Sequence, residues 1–367
     1  MRIVSKRKLE SIRIDMQKKG IDSLLLLNMA PIHDSGIEYI TGFRQERNQA
    51  FGCLVFGRDR TTLLVSSLDY DQACEEASAD EIIQVRKSGI VSLLKQSLGK
   101  YRRLGISESI FPLSLARKLR VKMVDFSHEL LSARSIKEPG EIALIRKSCS
   151  IASHGVKVIQ DEIGSAKSCV ELAIILESEL RRKGAEELAF PTLITSGKRG
   201  LWIHPYPSVA CDRIGSTGLV DFGARVGGYC SDVTVPFARG RLNMTQKNMI
   251  HAVRDAYSRS VELLEAGAAA ADVFEAADAV IASRGFEFKH SLGHGIGLDV
   301  HEYPNISPRP SDRRVLAKWK PVTLEENMVF TIEPGVYTRN GGIRLENDFL
   351  LTRRGPIQLT KSRLVEV

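Results

Sequence analysis

Cysteine is scarce in this 367-residue chain: six residues, at positions 53, 74, 149, 169, 211 and 230, none arranged as CxxC. That excludes a disulfide framework and makes a reducing, cytoplasmic setting the expectation. Aromatic residues are only 6% of the chain. They are too thinly spread among the basic runs (Lys6-Arg7-Lys8, Arg181-Arg182-Lys183, Arg313-Arg314) to form a base-stacking platform. The net charge of +8 therefore reads as solvated faces, and the pattern argues against a nucleic-acid partner. Long apolar runs are also missing. Leu24 to Leu27 is far too short to span a bilayer, so no membrane partner is expected. The opening "MRIVSKRKLESIRIDMQKKG" sets periodic Ile and Leu among charges, which predicts an amphipathic helix rather than a signal peptide.

Several catalytic signatures are absent too. There is no GxSxG elbow. "DFG" at 221–223 lacks the companion motifs of a kinase. Gly293, Gly295 and Gly297 are evenly spaced and do not form GxGxxG, and "TSGKRG" is not a phosphate loop.

What is present is an ordinary soluble composition, 43% hydrophobic and 26% charged, in a chain long enough for two domains. Up to about residue 130, "IDSLLLL", "FGCLVFG", "TTLLVSS" and "EIIQV" read as strands, and "SLLKQSLGKY" and "LSLARKLR" as helices. A connector near "LLSARSIKEPG" ends at Pro139, which opens a new helix. The expected division is an N-terminal α/β domain over 1–133 and a second domain over 134–367, an α/β (α+β) architecture overall. In the second domain the pattern of two helices then a hairpin occurs twice. Helices around 141–163 and 168–183 precede "GLVDFGARVGGYCSDVTVPF". Helices around 245–266 and 272–284, the last opening on a capping box of Asp272 and Glu275, precede "MVFTIEPGVYTRNGGIRLENDFLLT". The two hairpins turn at Gly227-Gly228 and, by their dipeptide signal, at Asn340-Gly341.

Each hairpin carries two acids on one face. With Gly227-Gly228 as turn residues, Asp232 lies opposite Gly223, and Asp221 is its diagonal neighbour. With Asn340-Gly341 as the second turn, Glu346 lies opposite Gly335, and Glu333 is two residues away. Four carboxylates among Val, Ile, Phe and Leu require a partner charge or a metal. Oxygen-rich ligands with an imidazole suit Mn, Co, Fe or Zn, and carboxylates can bridge two ions roughly 3.5–4 Å apart. Between the helices and the second hairpin lies "HSLGHGIGLDVHEYP", with histidines at 290, 294 and 301. Cys230, beside the first acid pair, reads as a small core residue.

The segments "GLVDFGARVGGYCSDVT", "SLGHGIGLDVHEYP", "VFTIEPGVY" and "GGIRLEN" resemble, in order, those of the pita-bread metallopeptidases: Xaa-Pro dipeptidases (prolidases), Xaa-Pro aminopeptidases and methionine aminopeptidases. The likeness covers roughly the last 230 residues. "IEYITGF" and the strand-rich first third are similar, more loosely, to the N-terminal domain of the prolidase and aminopeptidase P branch. The resemblance implies a pseudo-symmetric pita-bread domain holding two divalent metal ions. Asp221 would bind one ion, His294 and Glu333 the other, and Asp232 and Glu346 would bridge. Glu333 would also move the proton. His301 would contact the scissile carbonyl or its oxyanion, and His204, in "SGKRGLWIHPYPS", would meet the substrate. The resemblance further implies a homodimer. His290 reads as a bystander. Where dipeptide-gripping relatives often carry Arg, as in HExPR, this chain has Asn305, with Arg309 or a residue from the N-terminal domain as substitutes.

The function so implied is hydrolysis of the Xaa-Pro bond of dipeptides or short peptides by attack of a metal-bound hydroxide. The alternatives are hydrolysis of another small amide on the same site, or a non-catalytic binding module of the same fold. The complete ligand set argues against the last.

Overall fold

Pro139 stands in the first turn of the helix Pro139–Glu162, where its missing N–H costs nothing. Glu138 and Glu141 close a reciprocal capping box around that helix start. Asn243 and Gln246 do the same for Met244–Glu262. Strong local signals of this kind set the helix starts of the computed structural model, which describes residues 3–46, 51–85, 90–99, 101–207, 214–317 and 319–367. Met1, Arg2, Lys100 and Ser208, which fall in segments quoted above, and Cys211 lie outside the described residues.

The chain divides into two compact units, Met1–Arg134 and Ser135–Val367. The first opens on the helix Lys6–Lys18, capped by the Ser5 side chain, with Leu9, Ile12 and Met16 buried along one stripe. Its mixed sheet has six strands, in the order Glu81–Val85, Thr61–Ser66, Phe51–Gly57, Ser23–Met29, Arg103–Ile106 and Lys122–Asp125. The continuous apolar runs 24–27 and 53–56 occupy its centre, as strands covered on both faces must.

The second unit contains two helix pairs and two hydrophobic cores. Pro139–Glu162 and Cys169–Arg182 pack through Ile159, Leu172 and Leu176 on a core that includes Val220, Phe222, Val233 and Val235. Met249, Val253, Phe274 and Ile281, from Met244–Glu262 and Ala270–Ser283, pack on Phe330, Ile332, Phe349 and Leu351. Each half thus buries one helix pair against one sheet. The first half's sheet runs Val365–Glu366, Val233–Ala238, Thr217–Phe222, Leu193–Ser196. The second runs Glu302–Ile306, Gly293–Gly295, Val329–Ile332, Asn347–Thr352, Gly355–Gln358.

Two local expectations are overturned. The helix Ala270–Ser283 starts earlier than expected, with Ala269 as its N-cap and no side-chain cap. Main-chain pairing of Ala269 with Thr323, and the Ala270 N–H on the Val322 carbonyl, settle its entry. Asp272 and Glu275 instead grip Arg309. The second hairpin turns on Arg339-Asn340, because Thr338 pairs with Gly341 rather than with a residue further on. The Thr338 hydroxyl accepts the Asn340 N–H at 3.0 Å, and the Asn340 carbonyl accepts from Gln246 Nε2, also at 3.0 Å. Gly341 takes the positive φ of 138° beside this turn. Tertiary hydrogen bonds therefore outweigh the Asn-Gly preference.

Candidate metal centre

The first hairpin keeps the register read from Gly227-Gly228. Val226 pairs with Tyr229 and Arg225 with Cys230. Past a short break the same register continues, pairing Phe222 with Val233 and Asp221 with Thr234. Asp232 is therefore level with Gly223, and Asp221 and Thr234 lie two residues further along the same ladder, on the same face. In the second hairpin the displaced turn shifts the register by two. Gly335 pairs with Arg344, and Ile332 pairs with Asn347. Glu333 and Glu346 are thus level with each other, a closer arrangement than the expected diagonal. A shift of two leaves every side chain on its original face.

Between the hairpins comes the strand Gly293–Gly295. It pairs with Glu302–Ile306 on one side and, through Gly295 and Phe330, with Val329–Ile332 on the other. A Cβ at Gly293 would lie 1.9 Å from the Thr331 carbonyl oxygen, so only glycine permits this approach. The His294 N–H is held by Thr331 Oγ1 at 3.1 Å. This seating aims the imidazole at the acids: His294 Nε2 lies 3.6 Å from Asp232 Oδ2 and 3.5 Å from Glu333 Oε1.

Asp232, His294 and Glu346, all buried, each bring one ligand atom within 4.8 Å of the others. Asp221 is turned toward Arg344, whose guanidinium donates to Asp221 Oδ2, to Thr234 Oγ1 at 2.9 Å and to the Tyr337 hydroxyl at 3.0 Å. Thr234 in turn donates to Glu346 Oε2 at 2.5 Å. Asp348 Oδ2 accepts the Asp232 N–H at 3.1 Å and the Cys149 thiol at 3.3 Å. Cys230 is buried, its sulfur 3.7 Å from the Leu298 carbonyl, as a core cysteine should be. His301 and His204 lie nearer the surface. The His301 ring centroid is 4.1 Å from that of His294.

His290 is no bystander. Its Nδ1 faces the Ser291 carbonyl at 2.8 Å and so carries the proton. Its Nε2, 3.0 Å from the Tyr337 hydroxyl, then accepts. The run from His290 through Tyr337 and Arg344 to Asp221 is continuous. Arg309, a suggested carboxylate grip, is instead engaged by Asp272 and Glu275. Asn305 pairs with His294 across the edge strand, so the two share a face.

The electrostatics call for a cation. Burial pushes the Asp232 and Glu346 carboxyls well above the usual range, and their acidic neighbours push further. Burial lifts Glu333 to about 7, partly offset by Arg344. Asp221 is raised by burial against the same opposing guanidinium, and its Oδ1 is buried without a hydrogen-bond partner. His294 is driven down to about 3, first by burial and then by His301, so its imidazole is neutral and free to ligate. An unpartnered buried carboxylate oxygen, crowded acids and a neutral imidazole fit a divalent cation site.

Two family models match the chain. Residues 143–353 match the model described as metallopeptidase family M24, and residues 8–136 match the creatinase/prolidase N-terminal domain. The chain belongs to metallopeptidase family M24. A relative named Xaa-Pro dipeptidase, from Pyrococcus horikoshii, is 32% identical over 366 residues, covering 98% of each chain. The prolidase crystal structure from the same organism superposes with a TM-score of 0.86 at 31% identity, covering 98% of this chain and 99% of the other. An X-Pro aminopeptidase structure from Thermotoga maritima gives 0.82 at 27% identity, with the same coverage.

In this M24 chain the acids and histidines stand out by pattern, whereas Arg344, Thr234, Tyr337 and Asp348 join the site only in the structure. A signal was available. Arg344 and Asp348 stand two residues either side of Glu346, and Thr234 two after Asp232, so strand alternation puts all three on the acid-bearing face.

Proposed function

We propose that the protein is a metallopeptidase that hydrolyses the Xaa-Pro bond of dipeptides or short peptides. The observation that carries this reading is the convergence of Asp232, His294 and Glu346 on one buried point, with Glu333 beside His294 and two histidines nearer solvent. The relatives named Xaa-Pro dipeptidase and X-Pro aminopeptidase support it at full-length coverage.

In this reading Asp221, Asp232, His294, Glu333 and Glu346 would hold two divalent cations. When bound, such ions supply Lewis acidity toward a carbonyl and lower the pKa of water. The chain's own groups do the rest. Glu333, placed between His294 and His290, takes the proton from the attacking water and returns it to the leaving imino nitrogen. Burial holds His301 and His204 below the ordinary histidine pKa, so each is neutral at pH 7 with one N–H to donate. They hydrogen-bond the scissile carbonyl oxygen as it gains charge. Arg344, tied to Asp221, Thr234 and Tyr337, fixes the carboxylate orientation.

Asn305 favours a second reading within this class. A neutral amide on the His294 face offers no ion pair to a dipeptide's terminal carboxylate, which supports longer Xaa-Pro peptides as substrates. A homodimer in a reducing setting accompanies the proposal; Cys53, Cys74 and Cys149 are free thiols.

The test is elemental analysis of the purified protein, then hydrolysis of Ala-Pro and of a longer Xaa-Pro peptide with Mn or Co. Bound metal with proline-dependent turnover is expected. Well-folded protein with neither bound metal nor turnover would overturn the proposal.

A further inference from the structure

Lys137 lies far from the acids in sequence and is one of the most deeply buried cations in the second unit. Its Nζ is 2.8 Å from Glu302 Oε2, and both side chains are 1% exposed. A pair this dry costs desolvation, so geometry is the better guide to what it does.

Glu302 directly follows His301. Its other oxygen, Oε1, accepts the Asp299 N–H at 3.0 Å and so closes the 299–302 turn from inside. Gly297 lies against the same carboxylate; a Cβ there would come within 2.6 Å of both oxygens. Across the sheet, Glu302 pairs with Gly295, next to His294, just where the register shifts. The loop is gripped on its far side too. Arg225 donates to the Leu298 carbonyl at 2.6 Å, and the Cys230 N–H to the Gly297 carbonyl at 2.7 Å.

Lys137 is itself anchored by main chain. Its N–H donates to the Asn327 carbonyl at 2.9 Å, and Ile136 bridges to Met328. Val329–Ile332 follows at once and leads to Glu333. The ammonium therefore ties the His301 turn to the strand that leads into Glu333. Glu141, 1% exposed, interacts electrostatically with Lys137 and accepts the Tyr229 hydroxyl at 3.0 Å.

We propose that Lys137, through Glu302, is a positioning residue that holds the turn carrying His301 at its working distance from His294 and Glu333. The proposal rests on the reading of His301 as a substrate contact. A small displacement of such a group lowers turnover while leaving metal binding intact, because none of the proposed ligands is on the turn.

The experiment compares wild type with Lys137→Met, Lys137→Met/Glu302→Gln, His301→Ala and Lys137→Met/His301→Ala. Metal content, thermal midpoint, and kcat and KM on a Xaa-Pro peptide are recorded for each, and the His301 ring resonances for the proteins that keep His301. Lys137→Met is expected to lower kcat roughly tenfold or more at full metal content and to shift the His301 ring signal. In the His301→Ala background it should lower kcat no further. Independent, multiplying effects of the two substitutions would overturn the proposal, as would wild-type kcat and an unmoved His301 signal in Lys137→Met. Should the lone buried carboxylate prevent folding, Lys137→Met/Glu302→Gln removes both charges and keeps the oxygen that caps Asp299. It is expected to fold with the same kcat loss, and wild-type kcat there would overturn the proposal. If wild type cleaves no Xaa-Pro peptide, the peptidase reading fails, and the His301 ring signal alone decides whether Lys137 holds the turn.

Discussion

Arg344 and Asp221, separated by 123 positions in the chain, meet as a buried ion pair that joins the second hairpin to the first. Arg344 is 2% exposed and also reaches Thr234 and Tyr337, so one guanidinium orients groups from both halves of the site. Lysine has neither the fork nor the reach for three such partners. Arg344→Lys should lower kcat/KM at least tenfold and weaken metal retention, read by activity and by metal content after dialysis. Arg344→Ala should cost roughly 3–5 kcal/mol of stability, since it strands Asp221 in the core. Denaturant titration of the metal-free protein measures that loss.

Asp232 has crowded acidic neighbours in Glu346, Asp221, Asp348 and Glu333. Asp232→Asn should abolish hydrolysis and reduce bound metal by elemental analysis. Near-normal rates would refute the proposed metal-binding role of Asp232.

The acids also predict an inverted pH response in metal-free protein. Glu333 and Asp348 are raised to about 7 by burial, and Asp232 and Glu346 lie well above their usual range. Above the unfolded carboxylate range, the native state therefore binds more protons than the unfolded chain, and stability falls as pH rises. His294 and His290, lowered to about 3 and about 4, work the other way, but only below the unfolded histidine pKa near 6.5. From pH 6.5 to 8 the acids act unopposed. The thermal midpoint in chelator should drop across that interval. With Mn present it should rise instead, because a bound cation favours the ionised carboxylates and its uptake releases protons. A midpoint that rises with pH in chelator would contradict this electrostatic account.

Asn305 shares a face with His294 on an edge strand and is exposed. Asn305→Arg should raise kcat/KM for Xaa-Pro dipeptides relative to longer peptides, by roughly tenfold if the guanidinium reaches the terminal carboxylate. A panel of Ala-Pro against a longer Xaa-Pro peptide at fixed metal reads the ratio. No change in that ratio would show that the dipeptide end lies elsewhere.

Much of the site was legible because strand alternation acts locally. Asp221 with Asp232, and Glu333 with Glu346, fall on common faces whether a turn is placed correctly or shifted by two. That is why the misplaced second turn did not disturb the acid face. His290 shows the limit. Nothing near it in sequence announces Tyr337, and only packing joins the two rings to Arg344.

By itself the sequence determined the element types, the two-helix-then-hairpin repeat, and the grouping of acids and glycines, since these depend on propensity, capping and alternation over a few residues. Tertiary structure alone decided which long-range partners meet: Arg344 with Asp221, Lys137 with Glu302, and the Asn340 carbonyl with Gln246. Those contacts span 94 to 165 positions in the chain. Their pairing follows from how two cores bring separate sheets together, which no local pattern encodes.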